Sequence, residues 1–148
     1  MLAALTFSAS TKKSMTAPSH MVMAPSAIQW GDAPPTLPKG AKMAVLSGDP
    51  SKKGFFVLRL KAPDGYRVAA HWHPTRENLT IISGTFHLGM GDTLDTSKAD
   101  AMAAGSFAYL DGKMNHYAWV EGDTVVQVEG MGPFVVNYVN PKDDPSKK

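Results

Sequence analysis

His71-Trp72-His73-Pro74-Thr75-Arg76-Glu77 is the stretch on which the reading of this chain turns. Side chains alternate faces along a strand, so His71 and His73 leave the same face from neighbouring same-side positions. A strand followed by a turn can then bring Glu77 to the same point. Imidazole nitrogen and carboxylate oxygen are ligand types that suit Fe, Mn, Ni, Co, Cu or Zn. A further histidine, His116, lies well downstream in a second strand-like stretch. A lone histidine in a strand is more often a partly buried hydrogen-bonding side chain than a ligand, and an isolated His-x-His pair is a weak signal. Its surroundings decide.

The chain has 148 residues, enough for one domain that buries a core without covalent staples. Charged residues make up 19% and the net charge is +2, so composition implies no strong field for nucleic acid or a membrane surface. The absence of cysteine removes disulfides, thiolate metal sites and a cysteine nucleophile. With 13 glycines and 11 prolines, the chain is punctuated for short strands and turns rather than long helices.

Residues 1–27 are rich in Ser, Thr, Pro, Ala and Met without a period, and are expected to form an N-terminal arm. The apolar start Met1–Phe7, followed by Ser8-Ala9-Ser10, also fits the remnant of a signal segment that lacks its basic beginning. Cytoplasmic residence is the first reading and export the second. No run is long enough to span a membrane as a helix. Residues 28–141 are expected to form a barrel, and 142–148 a polar tail.

Strand signals recur through that middle region. Ile28–Trp30 begins them, and the proline-bearing stretch Gly31–Lys42 is expected to be an ordered loop. Lys42–Leu46, Gly54–Leu60, Tyr66–Trp72, Asn78–Ile82, Thr85–Met90, Ser106–Leu110, His116–Val120, Thr124–Glu129 and Phe134–Val139 follow. Only Leu94–Ala104 has room for a helical turn. Short strands spaced by turn residues predict an all-β sandwich or barrel.

The spacing Gly65-x5-His71-x-His73-x3-Glu77-x6-Gly84, followed by Gly105-x10-His116, resembles the two motifs of the cupin superfamily. The first motif matches at every defining position. The second departs where the family usually has Pro-x-Gly, since this chain has Asp111-Gly112-Lys113, and again at Val120, where asparagine is sometimes found. The resemblance covers Trp30 to Pro141. It implies an antiparallel cupin β-barrel of the jelly-roll type, holding one divalent transition metal ion through His71, His73, Glu77 and His116. It also implies pairing into a homodimer, for which Ile28–Trp30 is a candidate exchanged strand.

Other residues carry weaker signals. His87 is expected on an outer strand surface, opposite Phe86 and Leu88, and His20 in solvent. Arg59 is either a carboxylate clamp in the pocket or an exposed outer residue. Arg76 is expected at the pocket mouth. By parity with His116, Ala118 and Val120 face the metal side, whereas Tyr117 and Trp119 do not. Met90, Met102, Met114 and Met131 are expected as gap-fillers. The glycine-bearing turns Gly89–Asp92 and Glu129–Pro133 lack the order of a phosphate loop.

Fold does not fix function. The leading expectation is a metal-dependent enzyme acting on a small chelating substrate such as an enolate, catecholate or diketone, with dioxygenase-type oxidation first and Glu77 as base. A non-redox isomerase, lyase or hydrolase is the alternative, and a non-enzymatic binding or sensor module the third.

Overall fold

The computed structural model describes residues 20–148, so the expectations placed on residues 1–19 lie outside the described residues. Among the described residues nine strands run in chain order: β1 Gly31–Asp32, β2 Lys42–Ser47, β3 Gly54–Ala62, β4 Arg67–Trp72, β5 Glu77–Met90, β6 Asp100–Ala103, β7 Phe107–Leu110, β8 His116–Gly132 and β9 Asn137–Tyr138. All pairings between them are antiparallel. Among the described residues, helical structure is limited to three-residue 3-10 turns at Pro25–Ala27, Pro141–Asp143 and Pro145–Lys147. The all-β expectation holds.

The organising feature is the ribbon of β5 and β8, which pair from Glu77 opposite Gly130 to Met90 opposite His116. Turn residues in the sequence suggested four separate strands here. Each strand instead continues through its glycine-bearing segment, with register shifts between Ile81 and Ser83 and between Ser83 and Thr85. A bulge of this kind bends the strand and increases its twist without ending the pairing. Bending lets one ribbon serve two sheets. One half lies between β3 and β7, with β2 and β1 beyond β3. The other lies between β4 and β6, with β9 on the edge of β4. The two sheets share their central strands and curl round one interior, as the jelly-roll expectation required.

That interior is filled from alternate positions. Phe56 and Leu58 of β3, Leu79 and Ile81 of β5 and Val126 and Val128 of β8 are all buried in one cluster with Leu88, Met102 and Leu110. The period-2 alternation that predicted strands is the same alternation that builds this core. Of the four methionines expected as gap-fillers, only Met102 is buried. Met90, Met114 and Met131 are exposed at 48%, 44% and 50%: Met131 falls on the outward phase, Met114 in a turn and Met90 at the open end of β5.

Three other expectations are corrected. Ile28–Trp30 is not a strand: a 3-10 turn precedes it, and the short edge strand β1 begins only at Gly31. Leu94–Ala104 holds no helical turn, and its end forms β6 instead. Phe134–Val139 contributes only the two-residue strand β9.

Gly84 is where the ribbon bends. Its φ is +77°, and a Cβ there would sit 2.3 Å from Thr124 Oγ1 and 2.6 Å from the Asp123 carbonyl oxygen. Gly84→Ala is therefore expected to lose about 3 kcal/mol of stability, combining left-handed backbone strain with overpacking. Urea unfolding checks this; a loss under about 1 kcal/mol would mean that the bend relaxes readily.

Candidate metal centre

Four side chains converge at one end of the barrel. His71 is on β4, His73 follows just after that strand, Glu77 opens β5 and His116 opens β8. The register places His71 directly opposite His116 across the β4–β8 pair, and their rings lie 4.2 Å apart, centroid to centroid. One ligand atom from each of His71, His73 and His116 lies within 4.8 Å of the other two. Glu77 Oε2 lies 3.6 Å from His73 Nε2 and 3.3 Å from His116 Nε2. All four residues are buried. The structure thus brings together every residue that the motif spacing singled out.

Backbone carbonyls fix which nitrogen faces the centre. His71 Nδ1 donates to the Ala69 carbonyl at 2.7 Å, His73 Nδ1 to Val135 at 2.8 Å and His116 Nδ1 to Met114 at 2.9 Å. A carbonyl can only accept, so each neutral imidazole carries its proton on Nδ1 and presents the Nε2 lone pair inward. Metal-binding histidines are commonly oriented in this way. His73 Nε2 and Glu77 Oε2 are buried with no hydrogen-bond partner. Buried polar atoms left unpaired are costly and call for an explanation. A divalent cation fits this donor set in both charge and ligand type.

The protonation states favour the same reading. Burial holds the His71 imidazole down at about 3, with the neighbouring His116 and His73 adding to the effect. Burial also lowers His73. At His116 burial acts downward, but contact with Glu77 outweighs it and leaves the group raised. Burial pushes Glu77 upward, yet His116, His73 and His71 together carry it below its ordinary value. The cluster is therefore an anionic carboxylate among imidazoles, two of which resist protonation and leave their lone pairs free for a metal.

The cavity above these groups measures about 80 Å³ and is otherwise apolar. Phe134 forms part of its wall and stacks on His73 with ring centroids 4.2 Å apart. Leu37, Phe86 and Val136 also line it. Sequence reasoning missed these four residues. Leu37 lies in a proline-rich loop, and Phe134 and Val136 lie in a nearly strandless segment, where periodicity carries no signal. Parity did place Ala118 on the metal side. Tyr117 faces away, packed over Gly89 with its hydroxyl donating to the Asp95 carbonyl.

The remaining candidates do not join the centre. Arg59 donates to Gln127 at 3.0 Å, and that glutamine donates to Glu129, so the clamp reading of Arg59 is set aside. Phe107 and Tyr109, aromatic residues that flank the second motif, are exposed on the outside. His87 is on the face predicted for it but not in solvent: it is only 9% exposed. The β5–β8 register sets it opposite Trp119, and the two rings stack with centroids 3.6 Å apart and planes within 6°. His20 is exposed, as expected.

The departure at Asp111-Gly112-Lys113 keeps its turn by other means. Lys113 has φ 68°, the only positive φ outside glycine among the described residues. It occupies the place of a family glycine, and its N–H donates to the His73 carbonyl at 2.8 Å. A Cβ on Gly112 would meet the Pro74 carbonyl oxygen at 2.5 Å. Asp111 accepts from Arg76 Nε at 2.8 Å, and that guanidinium lies 4.4 Å from the Tyr109 ring centroid. The second motif's turn is thus clamped directly onto the first motif's loop.

The antiparallel barrel of two sheets, with three inward imidazoles at one end, has the cupin fold. Solved structures agree in fold. An RmlC-like cupin from Shewanella frigidimarina is 13% identical, with 76% of this chain and 91% of that chain covered and a TM-score of 0.58. The polyketide cyclase RemF from Streptomyces resistomycificus is 14% identical, with 86% and 91% covered and a TM-score of 0.65. An acetylacetone dioxygenase from Acinetobacter johnsonii is 14% identical, with 88% and 84% covered and a TM-score of 0.62. Within this class, the chain belongs to the family described as a domain of unknown function, DUF4437, whose model matches residues 11–137. Among curated proteins, none matches the sequence.

Lys113 gives a direct test of the turn. Lys113→Gly is expected to be neutral or to add up to about 1 kcal/mol of stability, because it removes left-handed strain. Lys113→Val is expected to lose more than about 1 kcal/mol, because a β-branched residue tolerates positive φ poorly. Equal unfolding midpoints for both variants would contradict the assignment.

Proposed function

We propose that this protein is a metal-dependent enzyme acting on a small organic substrate that chelates the metal, with dioxygenase-type oxidation as the reaction. The observation that carries this reading is the set of three inward Nε2 atoms, locked by their carbonyl partners, beside an unpaired buried Glu77 oxygen. In this reading His71, His73, Glu77 and His116 are the ligands. A divalent metal held there would act as a Lewis acid that acidifies a chelating enol and, if redox-active, would supply electrons to dioxygen.

The protein's own groups have distinct roles. The three carbonyl-bound imidazoles hold their orientation without reorganising. Glu77 is the only carboxylate in the cluster and the natural acceptor for the proton that an enol must lose on binding. Phe134 and the aliphatic wall exclude water, which strengthens each electrostatic contact inside. Four protein ligands leave room on an octahedral ion for a bidentate substrate. The fold-level likeness to a protein described as an acetylacetone dioxygenase supports this choice.

Elemental analysis of the purified protein, with an oxygen electrode assay against diketones and flavonols, tests the reading. About one equivalent of Fe, Mn, Ni, Co or Cu with oxygen uptake is expected, and His116→Ala should lower metal content sharply. Tightly held zinc without oxygen uptake would favour the non-redox reading instead. The likeness to a polyketide cyclase is the observation that keeps that second reading in view.

We further propose a homodimer. Phe55, Met131 and Tyr109 are exposed at 56%, 50% and 57%. Phe55 pairs with Met131, and Arg76 joins them to Tyr109 on one outer face. Exposed apolar clusters of this kind commonly mark contact surfaces. Light scattering should give twice the 15.9 kDa chain mass; a monomeric mass throughout the micromolar range would refute the dimer.

A further inference from the structure

The metal chamber is one of three recesses that share lining residues. A vestibule of about 260 Å³ shares Leu37, Leu60, Phe134 and Val136 with it. A further recess of about 40 Å³ shares Leu37, Leu60, Val68, Phe86, Ala118 and Val126 with it. None of the three is lined by a charged side chain, apart from the metal-centre residues themselves. In the vestibule the Ser51 hydroxyl is turned away onto Asp49 at 2.6 Å. A substituent in these spaces therefore meets apolar walls.

Leu37 and Leu60 line all three spaces. Leu60 is fixed in β3, paired on both sides with Met43 and Val126. Leu37 is different, because it sits on a loop. The Ala33 N–H closes that loop at its base by donating to the Ala41 carbonyl at 3.1 Å, and the Leu37 N–H donates to Pro34 at 2.9 Å. Two tyrosine hydroxyls hold the carbonyls on either side of Leu37. Tyr138 donates to Thr36 at 2.7 Å and Tyr66 donates to Pro38 at 2.6 Å. The Tyr138 ring also lies 6.0 Å from that of the metal-centre residue His71. Prolines at 34, 35 and 38 further restrict the backbone. The side chain is thus held by a strap at a position that borders both the vestibule and the metal chamber.

We propose that Leu37 is the specificity-determining residue of this site, and that the substrate joins a small chelating head to an uncharged apolar group whose size Leu37 limits. This rests on the metal-chelate reading above. The head occupies the cavity of about 80 Å³ beside the histidines, too small for more than a few heavy atoms. The apolar group passes Leu37 into the vestibule. A substrate with a second charge is disfavoured, because nothing along the route would pair with that charge.

Two measurements on full-length protein test this with Leu37→Ala and Leu37→Phe. The first uses metal-free protein and follows the rate at which diethyl pyrocarbonate modifies His73 and His116, with exposed His20 as the internal standard. Leu37→Ala should speed modification of the buried pair several-fold, and Leu37→Phe should slow it. The second uses zinc-loaded protein and calorimetry with symmetric β-diketones bearing methyl, ethyl or propyl ends. Leu37→Ala should shift preference toward the larger ends by about tenfold per methylene admitted, and Leu37→Phe toward the smaller. Unchanged labelling and an unchanged order of affinities overturn the role of Leu37 while leaving the metal-chelate reading intact. Altered labelling with no diketone binding to any zinc-loaded form overturns the assigned substrate class and the metal-chelate reading together, and leaves Leu37 only as a barrier.

Discussion

The β5–β8 pairing is the constraint on which the rest of this structure depends. Fourteen residues of one strand run against seventeen of the other, and the bend at Ser83-Gly84 lets a single ribbon form the middle of both sheets. Because His116 starts β8 and Glu77 starts β5, the geometry of that ribbon fixes how far apart they lie. The β4–β8 register then sets His71 against His116. Metal-centre geometry is therefore a consequence of strand registry, which a hydrophobic core on one face specifies strongly.

The centre itself is held in an expensive state. Three imidazoles and a carboxylate are buried together, and two of their polar atoms lack partners. Each such atom costs roughly 1–3 kcal/mol in a folded protein. On the side away from the centre the three imidazoles are satisfied: each Nδ1 has a carbonyl within 2.9 Å. The chain thus satisfies the outward nitrogens and leaves the inward ones free, which favours ligation over mere burial of histidine.

Much of this was legible from residue order. The alternation of apolar residues announced strands, and the resemblance of the glycine and histidine spacing to the cupin motifs implied the four convergent side chains. Gly65, Gly84 and Gly105 all adopt positive φ, so the motif glycines mark real backbone requirements. Errors arose where a local signal was ambiguous. A Ser-Gly pair marks a turn in most chains, yet here it marks a bulge, because the core on both sides keeps the strand paired. Burial of His87 could not be foreseen, since it depends on a cross-strand partner thirty-two positions away, Trp119. The turn at Asp111-Gly112-Lys113 differs from the family pattern in letters but not in shape, because a lysine adopts the backbone conformation usually left to glycine.

The sequence by itself determined the strand-rich class, the inward parity of His116 and Ala118, and, through its resemblance to the cupin motifs, the four convergent residues. Those properties depend on side-chain period and on ligand chemistry, both of which are local. Tertiary structure alone decided the tautomers of the histidines, the walls of the cavity and the placement of Leu37 at the junction of its chambers. Those depend on carbonyls, rings and hydroxyls brought together from distant parts of the chain: Val135 to His73, Phe134 to His73, and Tyr138 to the carbonyl before Leu37. No spacing rule encodes such contacts, because they exist only once the two sheets have closed.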